Sequence, residues 1–175
     1  IVSSYKEYWM RAKLSYTAEK STMNWIENHI GNNDTVYDIG ANVGAYSLLI
    51  GRKMLSGDGV LYSFEPESSN YYSLNRNIIA NQLSNKVKAF CLGFDKSLGA
   101  EQFFVSSTVP GSATHSLGKA ESEGVAFAPK HVQGIIAMSL DEFVELEGVS
   151  FPNHIKIDVD GNEGIIVNNA KKTLS

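Results

Sequence analysis

The segment Asp38-Ile-Gly40-Ala-Asn42-Val-Gly44 places a carboxylate two residues before a glycine and a second glycine four positions later. Glycines in such a turn let a ligand approach the backbone closely, and a neighbouring carboxylate attracts a cation by a few kcal/mol at partly buried distances. Glu65 follows 27 residues after Asp38 and directly precedes Pro66. A carboxylate can accept two hydroxyls at once, as a ribose presents them, so Glu65 is a candidate for the sugar of a nucleoside. The third constellation is Lys156-Ile-Asp158-Val-Asp160-Gly161-Asn162-Glu163. Like charges so close together are costly without a cation or a chemical task. Calcium is a poor fit, because an EF-hand loop has its glycine sixth and a helix before it, whereas here the glycine is fourth after a strand-like run.

These residues must be held by regular elements. Thr35 to Gly40 is short and β-branched, and Ala45 to Leu55 reads as helix, so the first constellation is a strand, a glycine turn and a helix. Val60 to Phe64 is a second strand, ended by Glu65-Pro66 because proline lacks a backbone donor and biases its predecessor away from helix. Ser68 to Leu83 carries Tyr71, Leu74 and Ile78 at helical spacing, and Val87 to Leu92 is a third strand. The order β-α-β-α-β predicts an α/β domain with a parallel sheet covered by helices on both faces. Glu101 to Val105 and Val132 to Met138 are further strands, and Ser139-Leu-Asp-Glu142 is a capping box opening a short helix. His154 to Val159 is the next parallel strand, and Glu163 begins its crossover helix. Between them, Ser106 to His131 is rich in Ser, Gly, Ala and Pro without apolar periodicity, which predicts a substrate-facing or disordered loop.

Two amphipathic helices precede the domain. Ser4-Tyr-Lys-Glu7 caps one that runs to about Leu14; Met23, Ile26 and Ile30 share a face of the second, with Thr17 at its start and Gly31 closing it in the left-handed conformation. Residues 1–30 are thus read as helices packing on a domain spanning 31–175, with Trp9 and Trp25 against its sheet.

The turn lacks the G-x-G-x-x-G pattern of dinucleotide sites, and a pyrophosphate beside Asp38 would set anion against anion. S-adenosylmethionine instead brings an ammonium and a sulfonium, which a carboxylate attracts. An NAD-dependent oxidoreductase would share the fold and Glu65 but not Asp38. A non-catalytic module that keeps the cofactor pocket is the other alternative.

Four segments in order, VYDIGANVGAYSLL (36–49), FEPESSNYYSLNRNIIAN (64–81), SLDEF (139–143) and IKIDVDGNE (155–163), resemble the FkbM family of S-adenosylmethionine-dependent methyltransferases. The resemblance implies a Rossmann-like class I methyltransferase sheet of order 3-2-1-4-5-7-6 and O-methylation of a sugar or secondary metabolite. It places Asp38, Gly40, Asn42 and Gly44 around the methionine part of the cofactor, Glu65 on its ribose, and Asp158 toward the reactive methyl. Asp160 stands where the family more often has Glu. Asp158 is the first candidate for the general base that a sugar hydroxyl needs, with Asp160 beside it and His115 or His131 as loop alternatives. Magnesium could bridge Asp158 and Asp160 to the acceptor, although no residue pattern requires a metal.

Composition narrows the partners. With 175 residues, 43% hydrophobic and 19% charged, the chain has the size and make-up of one globular domain. A net charge of −4 offers no basic footprint for nucleic acid or anionic lipid. Apolar runs are far too short for a membrane helix and no signal peptide is evident, so a small-molecule or glycan acceptor in the cytoplasm is expected, with room for a homo-oligomer. A single cysteine, Cys91, matches a reducing compartment. Because a seven-stranded sheet needs three more strands after Glu163, the chain reads as a C-terminally truncated piece of a longer enzyme, with strand 154–159 at an exposed edge or paired with another chain.

Overall fold

A computed structural model describes residues 19–122 and 124–175. Its centre is a four-stranded, wholly parallel sheet in the order β3-β2-β1-β10, built from β1 (Thr35–Ile39), β2 (Val60–Phe64), β3 (Val87–Phe90) and β10 (His154–Ile157). The order is the 3-2-1-4 part of the expected sheet, and β10 lies at its edge among the described residues. Helices α1 (Lys20–His29), α2 (Ala45–Lys53) and α3 (Ser68–Ala80) belong to the first half of the domain; α4 (Leu140–Val144) and α5 (Glu163–Asn168) come later. No helix among the described residues is long and apolar enough to cross a membrane.

Alternation along β1 explains the two layers. Val36 packs with Ile26, Ile50, Met54, Leu61, Leu74 and Val87 on one face of the sheet. Tyr37 and Ile39 point to the other, where Tyr62, Phe64, Phe94 and Phe143 form an aromatic cluster with Leu140 and Ile166. Edge-to-face contacts at 4.8 Å from Phe64 to both Phe94 and Phe143 bind this layer to α4. Because both faces are covered, β1 is buried over four consecutive residues, the pattern of a parallel sheet between helical layers.

The capping box at Ser139 forms as expected, with Ser139 Oγ accepting from Glu142 N and Glu142 reaching back to Ser139 N at 2.8 Å. Trp25 packs against the first core and meets His154 edge-on at 5.9 Å. The predicted helix from Ser4, the Thr17 cap and Trp9 lie outside the described residues.

Several boundaries depart from the sequence reading. Helix α1 ends through an extended Ile30, and Gly31 is not left-handed; its N–H is instead held by Asp34 Oδ2 at 2.6 Å. The predicted strand Val87 to Leu92 ends two residues early, at Phe90. After β3 the chain leaves the sheet, and β4 (Gly93–Phe94) pairs with β9 (His131–Met138) in a second sheet of order β4-β9-β5-β6, with β5 at Gly99–Val105 and β6 at Ser116–Leu117. Gly93 packs close to β9: an added Cβ there would lie 2.7 Å from the Cδ1 methyl of Ile135. The Ser106 to His131 stretch is also more ordered than its composition predicts. It holds β6 and the hairpin of β7 (Glu121–Ser122) and β8 (Val125–Ala126), elements too short for alternation to show in sequence. The predicted crossover helix is brief, its helical part ending at Asn168.

Candidate functional site

The ends of β1, β2 and β10 meet at a cleft roofed by the second sheet. Its lining includes Gly40 and Asn42 after β1, Phe64, Glu65 and Pro66 at the end of β2, Asp158 and Asp160 after β10, and His115. The turn that opens it is left-handed at three positions: Gly40 (φ 76°), Asn42 (φ 51°) and Gly44 (φ 93°). Gly40 is required doubly, since a Cβ there would stand 1.9 Å from the carbonyl oxygen of Asp158. Gly44 caps α2 and lies against Leu74 rather than in the cleft lining.

Glu65 is fixed from two sides. Its Oε2 accepts the N–H of Asn42 at 2.8 Å and its Oε1 that of Glu67 at 2.9 Å. The Asn70 side chain also acts on this carboxylate, and these three partners do not fill its four acceptor sites, so Glu65, in the cleft lining, can still accept a donor. Burial pushes its pKa up to about 7, against the lowering pull of the Glu67 and Asn42 N–H groups.

Asp38 is placed otherwise than the sequence predicts. It has no exposed surface and does not line the cleft. Its Oδ2 accepts Ser47 Oγ at 2.6 Å, Ser47 accepts Ser63 Oγ at 2.9 Å, and its Oδ1 pairs with Lys156 Nζ at 3.0 Å. The cause is register: Asp38 stands opposite Lys156 across β1 and β10 and opposite Ser63 across β1 and β2, so all three project from the same face of the sheet. A carboxylate already paired with an ammonium has little left for a ligand's cation. Lys156 is buried, which works against its charge, but Asp38 and then Asp158 more than offset this and raise its pKa. Its Nζ is 3.6 Å from Asp158 Oδ2, and the Asp158 side chain is 63% exposed at the cleft.

The other catalytic candidates lie on or against one loop. Asp160, left-handed at φ 56°, uses Oδ2 to accept the N–H of Thr114 at 2.8 Å, so it tethers the loop. The same loop is held from the opposite side: Ser112 O accepts Asn42 Nδ2 at 2.8 Å and Asn70 Nδ2 at 3.3 Å, while Gly111 N donates to Asn70 Oδ1 at 2.7 Å. His115 is buried in the lining, and its Nδ1 accepts from the Ser106 N–H at 3.2 Å. His131 opens β9 and is exposed, outside the cleft lining. Asn70 and Ser112 escaped the sequence reading. Nothing in their spacing marks them, because they meet only when the loop folds down on α3.

The cleft therefore offers an apolar wall from Phe64, Pro66, Leu92 and Phe94 beside the Glu65 carboxylate, which suits a flat base and its ribose, and a second carboxylate at the β10 end. These residues fit a nucleoside cofactor with a cationic end. Among the described residues no three His, Cys, Asp or Glu side chains gather as a metal site.

A parallel 3-2-1-4 sheet with a glycine turn after the first strand and an acidic residue after the second has the order of part of a class I methyltransferase fold. The chain belongs to the FkbM methyltransferase family: the methyltransferase FkbM domain matches residues 38–175. It is 26% identical over 162 residues to the hexuronic acid methyltransferase AglP of Haloferax volcanii, covering 93% of this chain and 59% of that protein. It is 31% identical over 86 residues to the methyltransferase sdnD of Sordaria araneosa, covering 49% of this chain and 32% of that one. The crystal structure of an FkbM methyltransferase from Methylobacillus flagellatus superposes with a TM-score of 0.55 at 16% identity, over 83% of this chain and 31% of that chain. The chain thus spans less than two thirds of the length of each of these proteins.

Proposed function

We propose that this chain is the cofactor-binding part of an S-adenosylmethionine-dependent O-methyltransferase whose acceptor is a sugar hydroxyl or a related secondary metabolite. The observation that carries the cofactor reading is Glu65, a carboxylate pinned by the Asn42 and Glu67 N–H groups in the lining of an apolar cleft, with an acceptor site left beyond these and the Asn70 side chain. Membership of the FkbM family supports methyl transfer, and similarity to a hexuronic acid methyltransferase supports a sugar acceptor.

When bound, the cofactor would supply an electrophilic methyl group. The chain's part is to position and to take a proton. Gly40 lets the backbone come close, Glu65 receives the ribose hydroxyls, and the apolar wall excludes water. Asp158 is the exposed carboxylate at the cleft and is the group we assign to accept the acceptor's hydroxyl proton. Asp160 holds Thr114 and shapes the loop that carries His115 into the lining.

The test is calorimetric titration of the intact protein with S-adenosylmethionine, followed by labelled methyl transfer to a panel of neutral and uronic acid sugars. Asp158→Asn should cut turnover at saturating cofactor by ~100-fold or more, the usual reach of a general base. Near-normal turnover removes Asp158 from that role, and binding without transfer to any acceptor favours a non-catalytic module.

A further inference from the structure

Asp38, Lys156 and Asp158 form a row running from the core to the lip of the cleft. Lys156 Nζ lies 3.0 Å from Asp38, 3.6 Å from Asp158 and 5.3 Å from the centre of the Tyr46 ring. Asp38 has no exposed surface and Lys156 retains 10% of its side-chain exposure, whereas Asp158 retains 63%. The trio carries two negative charges and one positive. The buried pair cancels, and the uncancelled negative charge sits on the only one of the three that borders the cleft.

We propose that Lys156 is a charge-balancing, positioning residue for the cofactor cleft: it neutralises Asp38, so that Asp158, and not Asp38, is the carboxylate of this row that meets the cationic end of the ligand. This rests on the S-adenosylmethionine reading above. It reverses the role that the motif assigns to Asp38, which becomes the partner that keeps the Lys156 ammonium from repelling the ligand. Charges buried this deeply are poorly screened, so removing either member of the pair exposes the ligand to the full effect of the other.

The experiment compares calorimetric affinities for S-adenosylmethionine and for methylthioadenosine, which keeps the adenosine and lacks the cationic end. General loosening of the fold weakens both alike; their ratio reports only the charged end. Asp38→Asn is expected to lower the ratio about fivefold or more, because the Lys156 ammonium is then uncompensated. Adding Lys156→Met to that variant is expected to restore the ratio to within about twofold of the wild-type value, since a neutral pair replaces a neutral pair. Asp158→Asn, at an exposed position that leaves the core intact, is expected to lower it about tenfold. A ratio that stays low in a folded Asp38→Asn/Lys156→Met protein makes Asp38 itself the ligand and overturns the proposal. A wild-type ratio in Asp158→Asn overturns it as well, and that arm decides the matter should the core variants not fold. Wild-type protein that binds neither compound refutes the cofactor reading and the proposal with it; equal affinity for the two refutes the proposal alone.

Discussion

The backbone N–H of Asn42 donates to Glu65 Oε2 at 2.8 Å, so the turn after β1 and the end of β2 are joined through one buried carboxylate. The Asn42 side chain donates in turn to Ser112 O at 2.8 Å. A single turn residue thereby connects the proposed ribose site to the loop that roofs it.

Glu65 makes stability depend on pH. A glutamate titrates near 4.5 in the unfolded chain, and burial pushes Glu65 up to about 7 in the fold. Between those values the folded state holds more protons, so the stabilisation is complete below about pH 4.5 and is lost as pH rises through about 7. The separation corresponds to a loss on the order of 3 kcal/mol. Urea unfolding of Glu65→Gln should show this slope abolished across the same window; a variant with the full wild-type slope would place its origin in another group.

Lys156→Met by itself leaves the Asp38 carboxylate buried beside Ser47 without its cation. Removing one member of a buried ion pair costs about 3 to 5 kcal/mol, and Asp38→Asn/Lys156→Met should recover most of it. Thermal or denaturant unfolding of the three proteins measures the recovery. Equal stability of the single and double variants would show that the pair is not coupled.

Asp160→Ala removes the acceptor of the Thr114 N–H. Global stability should fall by about 1 to 2 kcal/mol, since one partly exposed hydrogen bond is lost and alanine tolerates the left-handed φ of 56° less well than aspartate. Amide hydrogen exchange should accelerate through Gly111 to His115 and not in β1 or β2, where the ladder is untouched. Exchange rates in the loop that match the wild type would mean that Asn42 and Asn70 hold it without Asp160.

Gly40→Ala is the severe change. The new Cβ would meet Asp158 O at 1.9 Å, at a φ of 76° that alanine resists. Relief requires β1 and β10 to move apart, so a cost of about 3 kcal/mol or more is expected from strain and lost pairing. Expression yield and melting temperature give the readout; a variant as stable as the wild type would mean that the two strand ends separate freely.

Much of the site was legible in the sequence because its signals are local. The D-x-G-x-N-x-G turn, Glu65 before proline and the Ser139 capping box depend on residues within a few positions of one another, and each appears where its local chemistry predicts. The two-residue strand β4 was not legible, because its partners Ala137 and Met138 in β9 lie more than forty residues away. Asn70 gave no sign of its role for the same reason: its partners Gly111 and Ser112 come from a loop whose path only packing defines.

The sequence by itself determined the α/β order, the glycine turn and the two strand-end acids Glu65 and Asp158, since hydrophobic period and turn chemistry act along the chain. Only the tertiary structure decided which of Asp38 and Asp158 borders the cleft. Asp38 and Lys156 are 118 residues apart and become neighbours through the parallel register of β1 and β10, which no local pattern encodes. That register turns Asp38 toward the α2 face, while Asp158, one step beyond the strand, borders the cleft.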